Sequence, residues 1–254
     1  ASRQRSVAET LNRASGTKPR LVLINGAESE PYLCADEALM REHGQQLVAG
    51  VAILKYACQA DRAVIAMQRG KPSALAALRE ALDEFRDSNI ELLLLPASDY
   101  PRGTDPQVIR TVCKLELTRY QDPADFGVLL FSPGSAAAVS AAVSTGAGHV
   151  SRVVALAGTA LRTPKCFTVP FGTPISHLLA LSGCQPEQHS RTLLGGPLRG
   201  RELDDPETPV DITTTCVIAA GDAELPALPS SQACIQCGDC IPVCPVRLQP
   251  QLLH

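Results

Sequence analysis

The sequence contains no tryptophan, and aromatic residues make up only 4% of its 254 positions. Few flat faces are therefore available on which nucleic-acid bases could stack. A block of positive charge is missing too: 23 Lys and Arg stand against 26 Asp and Glu, for a formal net charge of −3. Binding to a phosphate backbone needs a basic footprint, so these two absences exclude nucleic acid as a partner.

Long apolar runs are also lacking. The nearest approach, "GVLLFSPGSAAAVSAAVSTGAG" (127–148), is mostly Ala, Ser and Gly and is broken by Pro133, a poor composition for a membrane span. The opening "ASRQRSVAETLNRASGTKPR" has basic residues without an apolar core and does not read as a signal peptide. It also lacks an initiator Met, as expected of a processed or partial chain. No GxGxxG or Walker sequence occurs, and the five histidines (43, 149, 177, 189, 254) show no metal-ligand spacing. Cysteine, by contrast, is plentiful. Ten thiols without an export signal point to a reducing, cytosolic compartment, where they serve metals or chemistry.

What is present alternates. "PRLVLINGA" (19–27), "RAVIAM" (62–67), "IELLLLPA" (90–97) and "FGVLLF" (126–131) read as strands. The continuous apolar run of the third predicts burial on both faces. Helical patterns separate them at 35–60, 71–87 and 105–117, and another follows at 134–146. This repetition predicts an α/β domain over residues 1–149 with a mostly parallel, Rossmann-like sheet. Shorter strands and a short helix then predict a small α+β module at 150–205. From 206 to 254 the chain reads as a connector rich in Pro, Asp and Thr, followed by a dense cysteine run.

That run, "CIQCGDCIPVCP", places Cys234, Cys237, Cys240 and Cys244 in the spacing C-x2-C-x2-C-x3-C-P of bacterial ferredoxins. Thiolates two residues apart around a tight turn can reach several iron corners of one cubane, and Gly238 lets the backbone wrap closely. A [4Fe–4S] cluster is the reading; zinc, which usually takes two separated Cys pairs, and idle thiols are the alternatives. The fourth cysteine of such a run ligates a second cluster, so either a second run is expected beyond residue 254 or a distant thiol such as Cys216 completes the set. The other five thiols, Cys34, Cys58, Cys113, Cys166 and Cys184, read as small buried hydrophobes.

Two further stretches follow strands, where ligands of open parallel sheets bind. "NGAESEPY" (25–32) offers Asn25, Glu28 and Glu30, and "YPRGTD" (100–105) offers Tyr100, Gly103 and Asp105. Plain solvated turns are the competing reading for both.

Taken together, these stretches resemble a known family. "LVLINGAESEPYLCADEALMREH" is similar to the segment N-x-x-E-x-E-P-Y-x-x-x-D-x-x-L-M-R-E in C subunits of Rnf-type electron-transport complexes, and more distantly to the flavin-binding subunit of respiratory complex I. "YPRGTDPQVIR", "DFGVLLFSPGSAAAV", "GTPISHLLALSG" and "LLGGPLRG" resemble later family segments in the same order. The resemblance implies an FMN- and NADH-binding α/β domain, a β-grasp (SLBB-type) module and a ferredoxin-like iron–sulfur segment. It implies a peripheral subunit on the cytoplasmic face of the inner membrane, working with the other subunits and indirectly with a ferredoxin-type carrier. Asn25 would contact the flavin, Glu28 and Glu30 would line the flavin–nicotinamide site, and Tyr100 with Gly103 would shape the nucleotide cleft. The implied activity is oxidation of NADH, with single electrons passed to or from two [4Fe–4S] clusters.

The family's glycine-rich flavin-phosphate loop does not precede the first strand. Asp105 stands for the family's Glu, and Ser132 with Pro133 for its Asn. These departures frame the alternatives: a non-enzymatic iron–sulfur relay or scaffold, or a soluble relative resembling cobalamin reductases.

Overall fold

The computed structural model describes residues 6–13, 19–28, 30–96, 101–118, 120–225, 232–244 and 248–253. The chain enters through helix α1 (Val7–Arg13), opened by a reciprocal capping box. The Glu9 N–H donates to Ser6 Oγ, and the Ser6 N–H donates to the Glu9 carboxylate. Strand β1 (Leu21–Gly26) follows and is buried along its whole length. Its apolar run has no polar alternation because helices cover both faces of its sheet. Helices α2 (Ala35–Glu42) and α3 (Gly44–Ala57), strand β2 (Arg62–Gln68), helix α4 (Pro72–Asp83) and strand β3 (Ile90–Leu95) come next. Helix α5 (Asp105–Cys113), strand β4 (Val128–Phe131) and helix α6 (Pro133–Thr145) complete the first domain.

The four strands lie in the order β3-β2-β1-β4, and every pairing is parallel. One face packs against α2, α3, α4 and α6 through Val22, Ile24, Met67, Leu129 and their neighbours. The other packs against α5 and the segment after it through Leu23, Val108, Ile109 and Val128. Each such fully buried aliphatic side chain contributes about 1.5–3 kcal/mol. After β1 the chain builds to one side, and β4 then returns to β1's other side. The carboxyl ends of β1 and β4 therefore form a topological switch point.

Three local features depart from the sequence pattern. The helix expected across 35–60 is broken at His43, so that Gly44 can lie against the Ala77 backbone, where a Cβ would stand 3.1 Å from the Ala77 carbonyl oxygen. Strand β3 is an edge strand with alternating burial, and its Leu93 is 37% exposed despite the continuous apolar run. Helix α5 stops at Cys113 because Lys114 turns left-handed at φ 56°, leaving 115–117 extended against the sheet.

The second sheet comprises β5 (Ser151–Ala157), β6 (Lys165–Pro170), β7 (Arg191–Leu194), β8 (Arg201–Glu202) and β9 (Cys216–Ala220), with helix α7 (Ile175–Leu181) between β6 and β7. Its order is β6-β5-β9-β7-β8, with β5 and β9 parallel at the centre and antiparallel pairs outside, as in a β-grasp. Helix α7 covers one face through Ile175, Leu178 and Leu179. The central strand β9 comes from the stretch expected as a connector, beyond residue 205. Its five apolar residues are hidden in the sequence by flanking Asp, Thr and Pro. The open face of this sheet packs on Leu33, Cys34 and Ala35 at the start of α2, joining the two modules. Two single-turn helices, α8 (Cys240–Val243) and α9 (Pro250–Leu253), lie in the cysteine-rich segment.

Candidate functional site

The polar residues of the first domain gather at the carboxyl end of its sheet. Asn25, next to last in β1, is fully buried. Its Nδ2 donates to the Gly103 carbonyl at 3.1 Å and to Asp105 Oδ1 at 2.6 Å, while its Oδ1 accepts the Ala27 N–H at 3.1 Å. Two of the sequence-predicted stretches are thereby fastened together. Gly103 is itself buried beneath Asn25, and Asp105 is the first residue of α5.

Glu28 leaves β1 two residues further on. Its Oε1 accepts the Asp36 N–H at the first turn of α2 at 2.8 Å, and its Oε2 pairs with Lys71 Nζ. Lys71, the residue before α4, also pairs with Glu37 at 3.3 Å. The pair is enclosed, with side-chain exposures of 6% for Glu28 and 13% for Lys71. Burial and the adjacent Asp36 push the Glu28 carboxyl above its usual range, against the pull of Lys71. For Lys71, burial opposes the charge, but Glu28 and Glu37 outweigh it and hold the ammonium above the ordinary lysine value. Lys71 escaped the sequence reading, although it stands at the carboxyl end of β2, where the same rule that picked out 25–32 applies.

Glu30 goes elsewhere. Its Oε2 accepts the backbone N–H groups of Leu198 and Arg199, both at 3.0 Å, in the "GGPLRG" turn of the second module. A Cβ on Gly196 would stand 2.3 Å from that oxygen, so the glycine is what lets the loop close on the carboxylate. Glu30 thus bridges modules instead of joining Asn25 and Glu28. Tyr100 lies outside the described residues. At the mouth of β4, Ser132 caps α6 by accepting the Ser135 N–H at 3.1 Å, a helix-starting role for the residue that stands where the resembled family has Asn.

Of the other five thiols, none is fully buried, and Cys34 and Cys166 lie in contact at 3.5 Å. Among the described residues, no three His, Cys, Asp or Glu side chains are placed to hold a metal ion. Cys234, Cys237 and Cys240 are exposed and Cys244 is half-buried. The run does carry features that suit thiolate ligation. Gln236 and Gly238 adopt φ of 58° and 80°, which curls the backbone, and Gln236 N–H donates to Cys234 Sγ at 3.4 Å. Leu248 N–H donates to Cys244 Sγ at 3.2 Å. Cys216 does not join them: it is buried in β9, where its Sγ donates to the Tyr32 carbonyl, and burial pushes its thiol up to about 12.

The family model of the Nuo51 FMN-binding domain matches residues 6–141. The chain belongs to that family. The matched span covers more than half of the sequence and takes in the whole parallel sheet with its polar carboxyl end. Curated relatives are similar along almost the entire chain. The C subunit of the ion-translocating oxidoreductase complex of Pseudomonas aeruginosa is 39% identical over 93% of this chain and 30% of its own length. Its namesakes from Haemophilus influenzae and Yersinia enterocolitica are 35% and 36% identical, over 93% and 92% of this chain and 36% and 33% of their own lengths. The chain therefore spans about a third of the relatives it matches. The Rnf-type resemblance read from the motifs agrees with these names. Among solved structures, a chain of NAD+-reducing [NiFe]-hydrogenase in the H2-reduced state superposes with a TM-score of 0.70 at 17% identity, covering 83% of this chain and 42% of that one. At that identity the likeness is one of fold.

The donor set at the sheet's carboxyl end bears on where FMN fits. Asn25 is fully buried and both of its amide hydrogens are taken by Gly103 and Asp105, so it fastens the 103–105 loop at this end of the sheet, while the enclosed Lys71 is the cation there. A phosphate suits the cluster poorly, because Glu28, Glu37 and Asp36 surround its one lysine. That charge pattern disfavours the phosphate end of FMN here and leaves the ring as the part that fits beside Lys71.

Proposed function

We propose that this chain is the flavin- and cluster-bearing part of an ion-translocating oxidoreductase subunit that oxidises NADH and passes electrons singly to or from [4Fe–4S] clusters. The observation carrying this reading is the FMN-binding family match over 6–141, on a sheet whose switch point gathers Asn25, Asp105, Glu28 and Lys71. Bound FMN would supply the conversion between hydride and single electrons. Asn25 would hold the Gly103–Asp105 loop in place beside the ring. Lys71 would balance negative charge gained there, and Glu28 would hold that lysine in place. Tyr100 would close the nucleotide side.

Cys234, Cys237, Cys240 and Cys244 would hold cluster iron, with N–H groups such as that of Gln236 stabilising thiolate charge. The fourth thiol would serve a second cluster formed with a further run in the full-length protein. The partners are the other subunits of a membrane redox complex and, through them, a ferredoxin-type carrier, with docking peripheral on the cytoplasmic face. No helix among the described residues is long and apolar enough to cross a membrane.

A second reading, a cluster-only relay or scaffold, draws on two observations. Glu30 is occupied by Leu198 and Arg199, and the Asn25 amide is occupied by Gly103 and Asp105. Titration of the full-length protein with FMN, followed by flavin fluorescence, separates the two. The flavin reading predicts saturable binding, weakened roughly tenfold by Asn25→Ala through release of the Gly103–Asp105 loop that it fastens. No saturable binding leaves the relay.

A further inference from the structure

Two thiols from the two modules meet at their junction. Cys34 directly precedes α2 and Cys166 lies on β6, 132 residues along the chain, yet their Sγ atoms are 3.5 Å apart. Cys166 Sγ also lies 3.7 Å from the Cys34 carbonyl oxygen, so the two residues approach through backbone as well as side chain. Both are half-buried rather than sealed. To bond, the sulfurs must close by about 1.5 Å. The local structure permits that shift: β6 is an edge strand, paired only with β5, and Cys34 sits in the loop entering α2. Cys216, the third thiol at this junction, is engaged with the Tyr32 carbonyl and fully buried.

We propose that Cys34 and Cys166 form a reversible redox site, a dithiol that low-molecular-weight disulfides oxidise to a covalent cross-link between the α/β domain and the second sheet. The Cys34 thiolate attacks one sulfur of the small disulfide, forming a mixed disulfide and expelling one small thiolate. Cys166 then loses its proton and attacks Cys34 Sγ, expelling the second small thiolate. Two protein thiols are oxidised, one small disulfide is reduced, and the two protons leave with the two small thiols.

The order of attack follows from position: Cys34 sits in the loop entering α2, whereas Cys166 is held in the β5–β6 pairing, so Cys34 is the sulfur free to turn toward a small disulfide. The contact between the two sulfurs also pulls the Cys34 thiol below its ordinary value, against burial, and raises that of Cys166. Once Cys34 is capped, Cys166 lies beside the mixed disulfide, within reach of Cys34 Sγ. The cross-link would close a long loop beside Glu30, fixing the junction that its carboxylate already bridges.

The test uses the reduced full-length protein, equilibrated anaerobically in glutathione buffers of rising oxidised fraction, acid-quenched, alkylated, digested and mapped by mass spectrometry. The expected result is a peptide pair joined through Cys34 and Cys166, growing with the oxidised fraction and lost on adding dithiothreitol. Cys166→Ser should trap glutathione on Cys34, whereas Cys34→Ser should leave Cys166 free to alkylate. Separate alkyl labels on both thiols in the most oxidising buffer overturn the proposal, as does Cys34 joined to Cys216. An unmodified Cys34 in Cys166→Ser contradicts its place as the attacking thiol. Peptide-level mapping keeps these readouts apart from any chemistry at Cys234–Cys244.

Discussion

The carboxylate of Glu30 accepts the backbone N–H of Leu198 at 3.0 Å, across 168 residues of sequence. With the matching bond from Arg199, it closes the "GGPLRG" turn of the second module onto the loop that leaves β1. Removing the acceptor leaves two partly enclosed amides without it. Glu30→Ala should therefore cost about 1–3 kcal/mol, and Glu30→Gln, which keeps one oxygen, less. Urea unfolding measures the loss, and hydrogen exchange at 198 and 199 shows whether the turn is what opens.

Lys71 is the countercharge to Glu28, and replacing it isolates a buried carboxylate. Lys71→Met should destabilise by about 3–5 kcal/mol. Glu28 already titrates above its usual range, so its contribution is fully present at pH below the unfolded-state value and is lost as pH rises through the folded one. Without Lys71 the folded value moves further up. The variant should therefore lose more stability relative to wild type at pH 7 than at pH 5, and adding Glu28→Gln should restore part of it. Denaturation at the two pH values reads this directly.

Helices α3 and α6 cross at Gly50, where a Cβ would stand 1.8 Å from the Ala136 carbonyl oxygen. On helix propensity alone Gly50→Ala gains about 1 kcal/mol. The contact reverses that sign: the helices must part, and a net loss of about 1–3 kcal/mol is expected. A thermal melt that moves upward instead would show that the two helices can yield.

The cysteine run predicts a separable loss. Cys237→Ser should remove one of the two clusters, lowering the broad visible absorption and the bound iron by about half, while leaving FMN titration unchanged, because its position lies outside 6–141. Iron and flavin analysis of the same preparation checks both halves.

Much of the α/β domain is legible in sequence because burial on both faces leaves no polar alternation in "LVLI" or "AVIAM". The same logic fails at β3, since composition does not say which strand ends up at an edge. Strand β9 is obscured because its pairing partners, 151–157 and 191–194, lie far from it in sequence. At the site, the strand-end rule locates Asn25 and Glu28 but does not show that Asn25 holds Asp105, or that Glu30 faces the other module. Lys71 could have been found by applying that rule to β2. The Cys34–Cys166 contact carries no local signal at all, since fold topology alone makes it.

The most direct test is an anaerobic visible absorption spectrum of the full-length, FMN-reconstituted protein before and after NADH. Flavin bands over a broad cluster absorption, with both bleached by NADH, are the predicted result. A bound flavin and intact cluster left unchanged by NADH would contradict it.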